Sequence, residues 1–242
     1  MKAGKTQKKM IAILVLLMVL ILLLCVLMVI GSSRTEQTEP ITAVVQETEL
    51  PSGHVTNTEI SSAGGIEILH SHVPWGSPRR PGEIREIRYI TIHETDNRRA
   101  GADAEAHSSL LSTDTTDITG WHYTVDDSVI CHHIPDNEIA WNAGDNRSKD
   151  GGNINGIGIE MCVNVTNDFE QTLRNTAALT AELMIAYDLS MDRVKFHEDF
   201  MVKECPHRLI SEGRKEEFLQ MIRDAYTARR EMEQAQTESE AQ

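Results

Sequence analysis

His197 and Cys205 are the residues whose types and spacing most directly suggest chemistry. Imidazole nitrogen and thiolate sulfur are both good ligands for zinc. Seven residues separate them, too many for one helix face, so we expect a loop that folds back on itself. His93 is the best third candidate, because it ends a strongly apolar run and a polar loop follows it.

Three such ligands would leave a fourth position for water, which is typical of a catalytic rather than a structural zinc site. The alternative is that these residues are ordinary surface histidines and a buried cysteine, and their spacing alone leaves both interpretations open. The chain has ten histidines in all. We expect His107 and His122 to pack within the domain. His132 and His133 alternate across a strand, so at most one of them faces a site.

The elements that would position these residues alternate between strands and helices, which predicts an α/β fold with a core of its own. Apolar, β-branched and aromatic runs indicate strands, and apolar residues at three- to four-residue spacing indicate helices. The predicted strands cover 87–93, 157–163 and 194–197, a hairpin joins 121–125 to 128–134, and the predicted helices cover 100–111, 169–189 and 214–225.

The N-terminal part of the chain has a different character. Residues 1–9 form a basic tail, and Met10–Ile30 is an uncharged apolar stretch without Gly or Pro. About 20 apolar residues cross a bilayer, so this stretch predicts a transmembrane signal anchor, with a long cleaved signal peptide as the alternative. Lysines before the span and none directly after it predict a cytoplasmic N-terminus and a C-terminal domain outside the cell membrane.

Composition separates the remaining segments. Residues 31–71 are rich in Ser, Thr, Glu and Gly and predict a flexible acidic linker. Residues 72–226 contain the predicted strands and helices of the α/β domain, and 227–242 predict a disordered polar tail. The formal net charge is −14, and a surface this acidic repels phosphate backbones, which excludes a nucleic-acid partner.

Five segments in this order carry a resemblance to a known family. They are Thr91-Ile-His-Glu-Thr, Gly120-Trp-His-Tyr-Thr-Val-Asp-Asp127, the run from His133 to Asp145, Gly158-Ile-Glu-Met-Cys-Val-Asn164, and His197 with Lys203-Glu-Cys-Pro-His207. Together they resemble the zinc-dependent N-acetylmuramoyl-L-alanine amidases of the type 2 family, especially those of phage endolysins and Gram-positive autolysins. The resemblance covers roughly residues 75–225.

The resemblance implies a central mixed β-sheet flanked by helices, the fold shared with peptidoglycan recognition proteins. It implies one zinc ion per chain on His93, His197 and Cys205, no organic cofactor, and peptidoglycan as the partner. Glu160 would be the general base and Lys203 would stabilise the oxyanion. Substrate contacts are expected from three residues, Trp121, Asn142 and Asn97.

Two other functions compete with this interpretation. A non-catalytic recognition module of the same fold would bind peptidoglycan without cutting it, although such relatives characteristically lack the cysteine ligand. A Cys/His peptidase would use Cys205 as nucleophile and His197 as base, which leaves His93, Glu160 and Lys203 without roles. Cys131 and Cys162 lie on candidate neighbouring strands and are expected to be free core thiols, with a disulfide as the alternative.

Overall fold

The computed structural model describes residues 56–240, together with Gly4 and Met18. All elements given below belong to the compact unit Glu49–Gln242. Seven strands form one mixed sheet in the order β1-β2-β5-β4-β6-β3-β7. Their bounds are β1 Ser62–Ala63, β2 Ile66–His70, β3 Tyr89–Glu94, β4 Tyr123–Val125, β5 Ile130–His132, β6 Gly156–Met161 and β7 Val194–Phe196. The expected α/β class with a central mixed sheet is confirmed.

The helices are α1 Ala104–Thr113, α2 Gly152–Asn155, α3 Phe169–Ala186, α4 His207–Ser211 and α5 Lys215–Glu240. Aspartates begin the two helices that the sequence delimits best, because a carboxylate accepts the free backbone N–H groups of a first turn. Asp103 accepts from the N–H of Ala106 at the start of α1, and Asp168 accepts from that of Gln171 at the start of α3.

Alternation along the central strands divides the sheet into two faces. Ile90 and Ile92 on β3, with Ile157 and Ile159 on β6, belong to the main hydrophobic core together with residues of α3 and α5. Successive side chains of a strand point to opposite faces, so the residues between these isoleucines face the other side. The strands β3 and β6 are parallel, and their register pairs Thr91 with Gly158 and His93 with Glu160.

The expected linker 31–71 and tail 227–242 are both wrong at their boundaries with the domain. β2 pairs in parallel with β5, and Ile68 is buried in the main core. This pairing is a long-range contact that the composition of a short segment does not reveal.

The last helix continues to Glu240. Within it, Arg229 bonds Glu182 of α3 at 2.8 Å and also pairs with Glu233 one turn away, so charge pairs extend the helix.

Within 56–240, no helix is long and apolar enough to cross a membrane. The apolar stretch 10–30 that predicts a signal anchor lies outside the described residues, apart from Met18. The basic tail 1–9, apart from Gly4, and the part of the linker before residue 56 also lie outside them.

Candidate metal centre and catalytic cleft

His93 and Glu160 reach the site from two neighbouring strands. Each lies near the carboxyl end of its strand, and their Cα atoms are register partners. The core-facing Ile92 and Ile159, which directly precede them, fix the strand orientation, so these two polar side chains lie on the face away from the main core. A strongly apolar strand thereby delivers an imidazole and a carboxylate to the same edge of the sheet.

His197 follows β7, which pairs in parallel with β3. A 3-10 turn over His197–Asp199 begins at that point, and the Asp199 carboxylate accepts the backbone N–H of Phe196 at 2.8 Å. Asp199 therefore positions the turn through the backbone and not through the imidazole. Glu198 forms an ion pair with Lys215 of α5, and its backbone N–H donates to the Cys205 carbonyl at 3.3 Å. This backbone bond joins the His197 turn to the returning loop.

The ligand atoms of His93, His197 and Cys205 lie within 4.8 Å of one another. The two Nδ1 atoms are 2.9 Å apart, and Cys205 Sγ lies 3.9 Å from His93 Nδ1. Tetrahedral zinc with ordinary bond lengths separates its nitrogen and sulfur ligands by about 3.3–3.6 Å. The three side chains are 1%, 3% and 5% exposed, respectively. The geometry therefore fits a tetrahedral metal ion with one further position available.

The protonation chemistry of these three residues also suits a cation. Burial lowers the pKa of His93 well below its usual value, and the neighbouring His197 imidazole lowers it further. Burial and the positive charge of Lys203 lower the pKa of His197 to about 4. The imidazoles of His93 and His197 are therefore neutral and carry lone pairs. Burial raises the pKa of the Cys205 thiol to about 12 without a metal. A bound cation would reverse that shift by stabilising the thiolate.

Glu94 is a positioning residue that the sequence interpretation missed. It follows His93 directly, is 6% exposed, and accepts the backbone N–H groups of Arg208 at 2.8 Å and Leu209 at 3.1 Å. These N–H groups belong to the first turn of α4, just after Cys205. A carboxylate at the end of β3 thus fixes the loop that carries the cysteine. The sequence shows Glu94 beside His93, but no local pattern connects Glu94 to a helix about 114 residues away.

Glu160 has the properties of a proton acceptor. Burial raises its pKa to about 7, and the nearby Lys203 ammonium opposes this shift. Its Oε2 atom is buried and has no hydrogen-bond partner among the described residues. Lys203 itself is exposed in the loop before Cys205. A carboxyl with a pKa near neutrality can both take up and release a proton, as general acid–base catalysis requires.

The three expected substrate contacts have different surroundings. Trp121 is only 8% exposed, packs with Val73, Leu111 and Ile134, and donates its Nε1–H to Thr124 Oγ1 at 2.7 Å. Trp121 therefore packs in this second core, where burial of a large apolar ring is stabilising, and a substrate contact from it stays a prediction. Asn97 is half-buried in the loop after β3 and accepts the backbone N–H of Arg99.

Asn142, in contrast, lies directly beside the metal centre. Its carboxamide contacts Gly158, where an added Cβ would approach the Asn142 Cγ to 2.8 Å. Its Nδ2 donates to the Ala140 carbonyl, and its buried Oδ1 has no hydrogen-bond partner within the described chain. An interaction with the Asn142 side chain also opposes the lowering of the His93 pKa. A glycine on β6 thus makes room for an amide with a free acceptor atom.

An open groove of about 350 Å³ adjoins the centre. It is lined by Ile118, Thr119, Trp141, Gly144, Asn146, Arg147 and Asn153. The Arg147 guanidinium covers the Trp141 ring at 5.6 Å, and a Cβ on Gly144 would lie 3.8 Å from His197 Nε2. The groove therefore leads from an aromatic surface to the candidate ligands.

The expectation that His107 and His122 stay within the domain is confirmed. His122 Nδ1 accepts the N–H of Gly158 at 3.0 Å, and His107 Nδ1 donates to the Asp103 carbonyl at 2.7 Å. Cys131 and Cys162 are buried free thiols that pack beside Ala104, as expected. Neither His132 nor His133 belongs to the metal centre.

Comparison with known proteins identifies the family. The family model described as N-acetylmuramoyl-L-alanine amidase (Amidase_2) matches residues 83–208, about half of the chain. Among curated relatives, N-acetylmuramoyl-L-alanine amidase XlyA of Bacillus subtilis (strain 168) is 41% identical over 146 residues, covering 60% of this chain and 48% of that protein. CwlH of the same organism is 39% identical over 145 residues, covering 60% and 57%. The chain thus spans about half the length of the curated relatives it matches.

Solved structures agree with this assignment. The catalytic domain of XlyA is 38% identical, with a TM-score of 0.61, and the match covers 65% of this chain and 99% of that domain. The structure of PlyL is 28% identical, with a TM-score of 0.60, and the match covers 65% and 97%. The matched family segment contains His93, Glu160, His197 and Cys205. The chain therefore belongs to the type 2 family of N-acetylmuramoyl-L-alanine amidases.

Proposed function

We propose that this chain is a zinc-dependent peptidoglycan hydrolase that cleaves the amide between the lactyl group of N-acetylmuramic acid and L-alanine. The observation that carries the proposal is the convergence of two imidazole nitrogens and a thiol at one strand edge, with Glu160 as the register partner of His93. Imidazole and thiolate ligands favour zinc over magnesium or calcium, which prefer oxygen ligands. With a thiolate and two neutral rings, the occupied centre keeps a net charge near +1.

His93, His197 and Cys205 would hold the ion, which supplies a Lewis acid that polarises the amide carbonyl and acidifies water. Glu160 accepts a proton from the attacking water as the new C–O bond forms. Glu160 then donates that proton to the leaving amine nitrogen as the C–N bond breaks, so the products are a carboxylate and a free L-alanine amino terminus. The Lys203 ammonium stabilises negative charge on the carbonyl oxygen, and its exposed position lets it adjust to substrate.

The test is release of new L-alanine amino termini from purified peptidoglycan by the full chain in detergent. We expect one zinc per chain at the centre and loss of most activity on chelation or in Cys205→Ser and Glu160→Gln. Two matched controls keep the centre intact: Cys131→Ser alters another buried thiol, and Glu216→Gln alters an exposed acid near the start of α5. Peptidoglycan binding without release of amino termini would instead support a recognition module.

A cysteine peptidase is less well supported. The Cys205 thiol has a raised pKa, whereas a nucleophilic cysteine needs a lowered one. Activity that survives chelation and is lost on thiol alkylation would favour the peptidase. Activity that requires added zinc and depends on Glu160 would favour the amidase.

We also propose that residues 10–30 form a membrane anchor, with residues 1–9 in the cytoplasm and the catalytic domain on the wall side. The uncharged apolar stretch and the preceding lysines support this arrangement. Protease treatment of protoplasts that express the full chain would then remove the domain and leave a short membrane-bound fragment. A domain that is protected in intact protoplasts, or recovered free in the medium, would contradict the anchored topology.

A further inference from the structure

A second group of histidines lies on the opposite face of the sheet from the catalytic cleft. His70 ends β2 and His132 ends β5, and these two residues are register partners. His72 lies two positions after His70. Ile68 and Ile130 precede the two strand histidines at the same parity and belong to the main core, so this group lies on the core side of the sheet. Strands β4 and β6 lie between β5 and β3, which carries His93.

The three rings point nitrogen atoms at a common space. His132 Nδ1 lies 3.0 Å from His70 Nδ1 and 3.4 Å from His72 Nε2, and one ring nitrogen from each residue lies within 4.8 Å of the others. Two nitrogens bound to tetrahedral zinc at ordinary bond lengths are about 3.3 Å apart. The group therefore has the dimensions of a three-histidine metal site, and the exposure of His70 and His72 leaves it open to solvent.

His132 is held rigidly by buried groups. Its Nε2 lies 3.3 Å from Asp136 Oδ1, and both atoms are buried with no hydrogen-bond partner elsewhere in the described chain. Asp136 Oδ2 accepts hydroxyl hydrogen bonds from Tyr123 at 3.1 Å and Tyr187 at 2.8 Å. The Tyr123 ring also stacks on His132 at 4.3 Å. A carboxylate on Nε2 directs the proton to that nitrogen and leaves a lone pair on Nδ1, the arrangement that orients histidine ligands in metal proteins.

His70 repeats this arrangement at the surface, because its Nε2 lies 3.7 Å from Glu59 Oε1 while its Nδ1 faces His132. The Arg80 guanidinium, which acts electrostatically on His72, is paired with Glu138 through two hydrogen bonds. The positive charge of Arg80 is therefore largely neutralised. Three imidazoles, two of them with carboxylate partners, suit zinc, copper or nickel better than calcium or magnesium.

We propose that His70, His72 and His132 form a second, solvent-accessible site for a divalent transition metal, separate from the His93, His197 and Cys205 centre. The ion would join β2 to β5 through side chains and thereby fasten the N-terminal edge of the sheet, where the register of these two strands covers three residue pairs. The site exists only while β2 is paired with β5, so a bound metal ion would suppress the local opening of β2.

Cobalt substitution separates the two sites, because only a thiolate ligand produces a sulfur-to-cobalt charge-transfer band. The metal-free full chain in detergent is titrated with Co²⁺. We expect two equivalents to bind, one with the charge-transfer band and one with ligand-field absorption alone. The His197→Ala/Cys205→Ser variant should keep only the second, and the His70→Ala/His72→Ala variant only the first. Ser71→Ala, between the two histidines, should bind both.

Hydrogen exchange gives a readout that does not depend on the catalytic centre. Backbone exchange in β2 should slow about tenfold in the His197→Ala/Cys205→Ser variant when free Zn²⁺ is about ten times its dissociation constant. The same Zn²⁺ should leave β2 exchange unchanged when His70→Ala and His72→Ala are added. A single Co²⁺ equivalent in the wild-type chain, always with the thiolate band, would overturn the proposal. Unchanged β2 exchange at saturating Zn²⁺ would also overturn it.

Discussion

Glu94 gives the sharpest test of how the fold holds the metal ligands. Its carboxylate accepts two backbone N–H groups of α4, from Arg208 at 2.8 Å and Leu209 at 3.1 Å, and Leu209 is fully buried. Glu94→Ala removes a capping interaction of about 1–2 kcal/mol. It also leaves a buried N–H without a partner, at a further cost of about 1–2 kcal/mol. We therefore expect the metal-free chain to lose about 2–4 kcal/mol of unfolding free energy.

The same substitution should weaken metal binding, although Glu94 is not a ligand. Without the carboxylate, the first turn of α4 shifts, and Cys205 just before it no longer meets His93 at the right distance. Loss of a group that orients a ligand typically lowers metal affinity about 10- to 100-fold. Zinc affinity is measured by competition with a coloured chelator, and stability by urea unfolding after metal removal. Glu94→Gln keeps one acceptor oxygen and should have an intermediate effect in both assays.

Glu212→Ala is the matched control for this experiment. Glu212 lies at the other end of α4, and its carboxylate bonds the exposed Arg208 side chain at 2.8 Å instead of a backbone group. Removing such a surface ion pair costs about 0–1 kcal/mol and should leave zinc affinity unchanged. Zinc affinity within twofold of wild type in Glu94→Ala would refute the view that this carboxylate positions Cys205. Equal losses in Glu94→Ala and Glu212→Ala would refute it as well.

Three further substitutions test other parts of the structure. Because the folded-state pKa of Glu160 is raised to about 7, ionisation destabilises the metal-free fold as pH rises from 4.5 to 7. The unfolding free energy of Glu160→Gln minus that of wild type, measured in urea, should therefore be up to about 3 kcal/mol larger at pH 8 than at pH 4.5. A difference that does not change with pH would contradict this. Tyr187→Phe removes the hydroxyl that donates to Asp136 at 2.8 Å and accepts the Thr58 backbone N–H at 2.9 Å, so it should cost about 1–2 kcal/mol in the same assay; no loss would show that these two bonds contribute nothing. Gly158→Ala forces a Cβ to within 2.8 Å of Asn142, so it should cost about 1–3 kcal/mol and reduce amide hydrolysis, whereas wild-type activity would show that Asn142 moves freely.

Local sequence patterns were sufficient where the physical cause was itself local. The apolar run ending in His93 predicted β3, and the three- to four-residue apolar spacing predicted α3. The hairpin expected around Asp126 is confirmed, because β4 and β5 pair antiparallel across it and the Asp126 carboxylate accepts N–H groups of the turn. In each case, the residues that decide the conformation are neighbours along the chain.

Local patterns failed at the domain edges. The strand β2 is only five residues long, and its partner β5 is about 62 residues away. The burial of Trp121 also depends on residues distant in sequence, because Val73 and Leu111 from other segments pack against it. Burial depends on which segments meet, and a single stretch of sequence does not contain that information.

The sequence by itself determined the chemical groups available at the centre, their order along the chain, and the family to which their spacing belongs. Only the tertiary structure decided that His93 Nδ1 lies 2.9 Å from an imidazole 104 residues away and 3.9 Å from a thiol 112 residues away. It also assigned Glu94 to the helix behind Cys205 and assembled His70, His72 and His132 from two strands and a loop. The physical reason is that strand order and register set these distances, and both result from packing of the whole core.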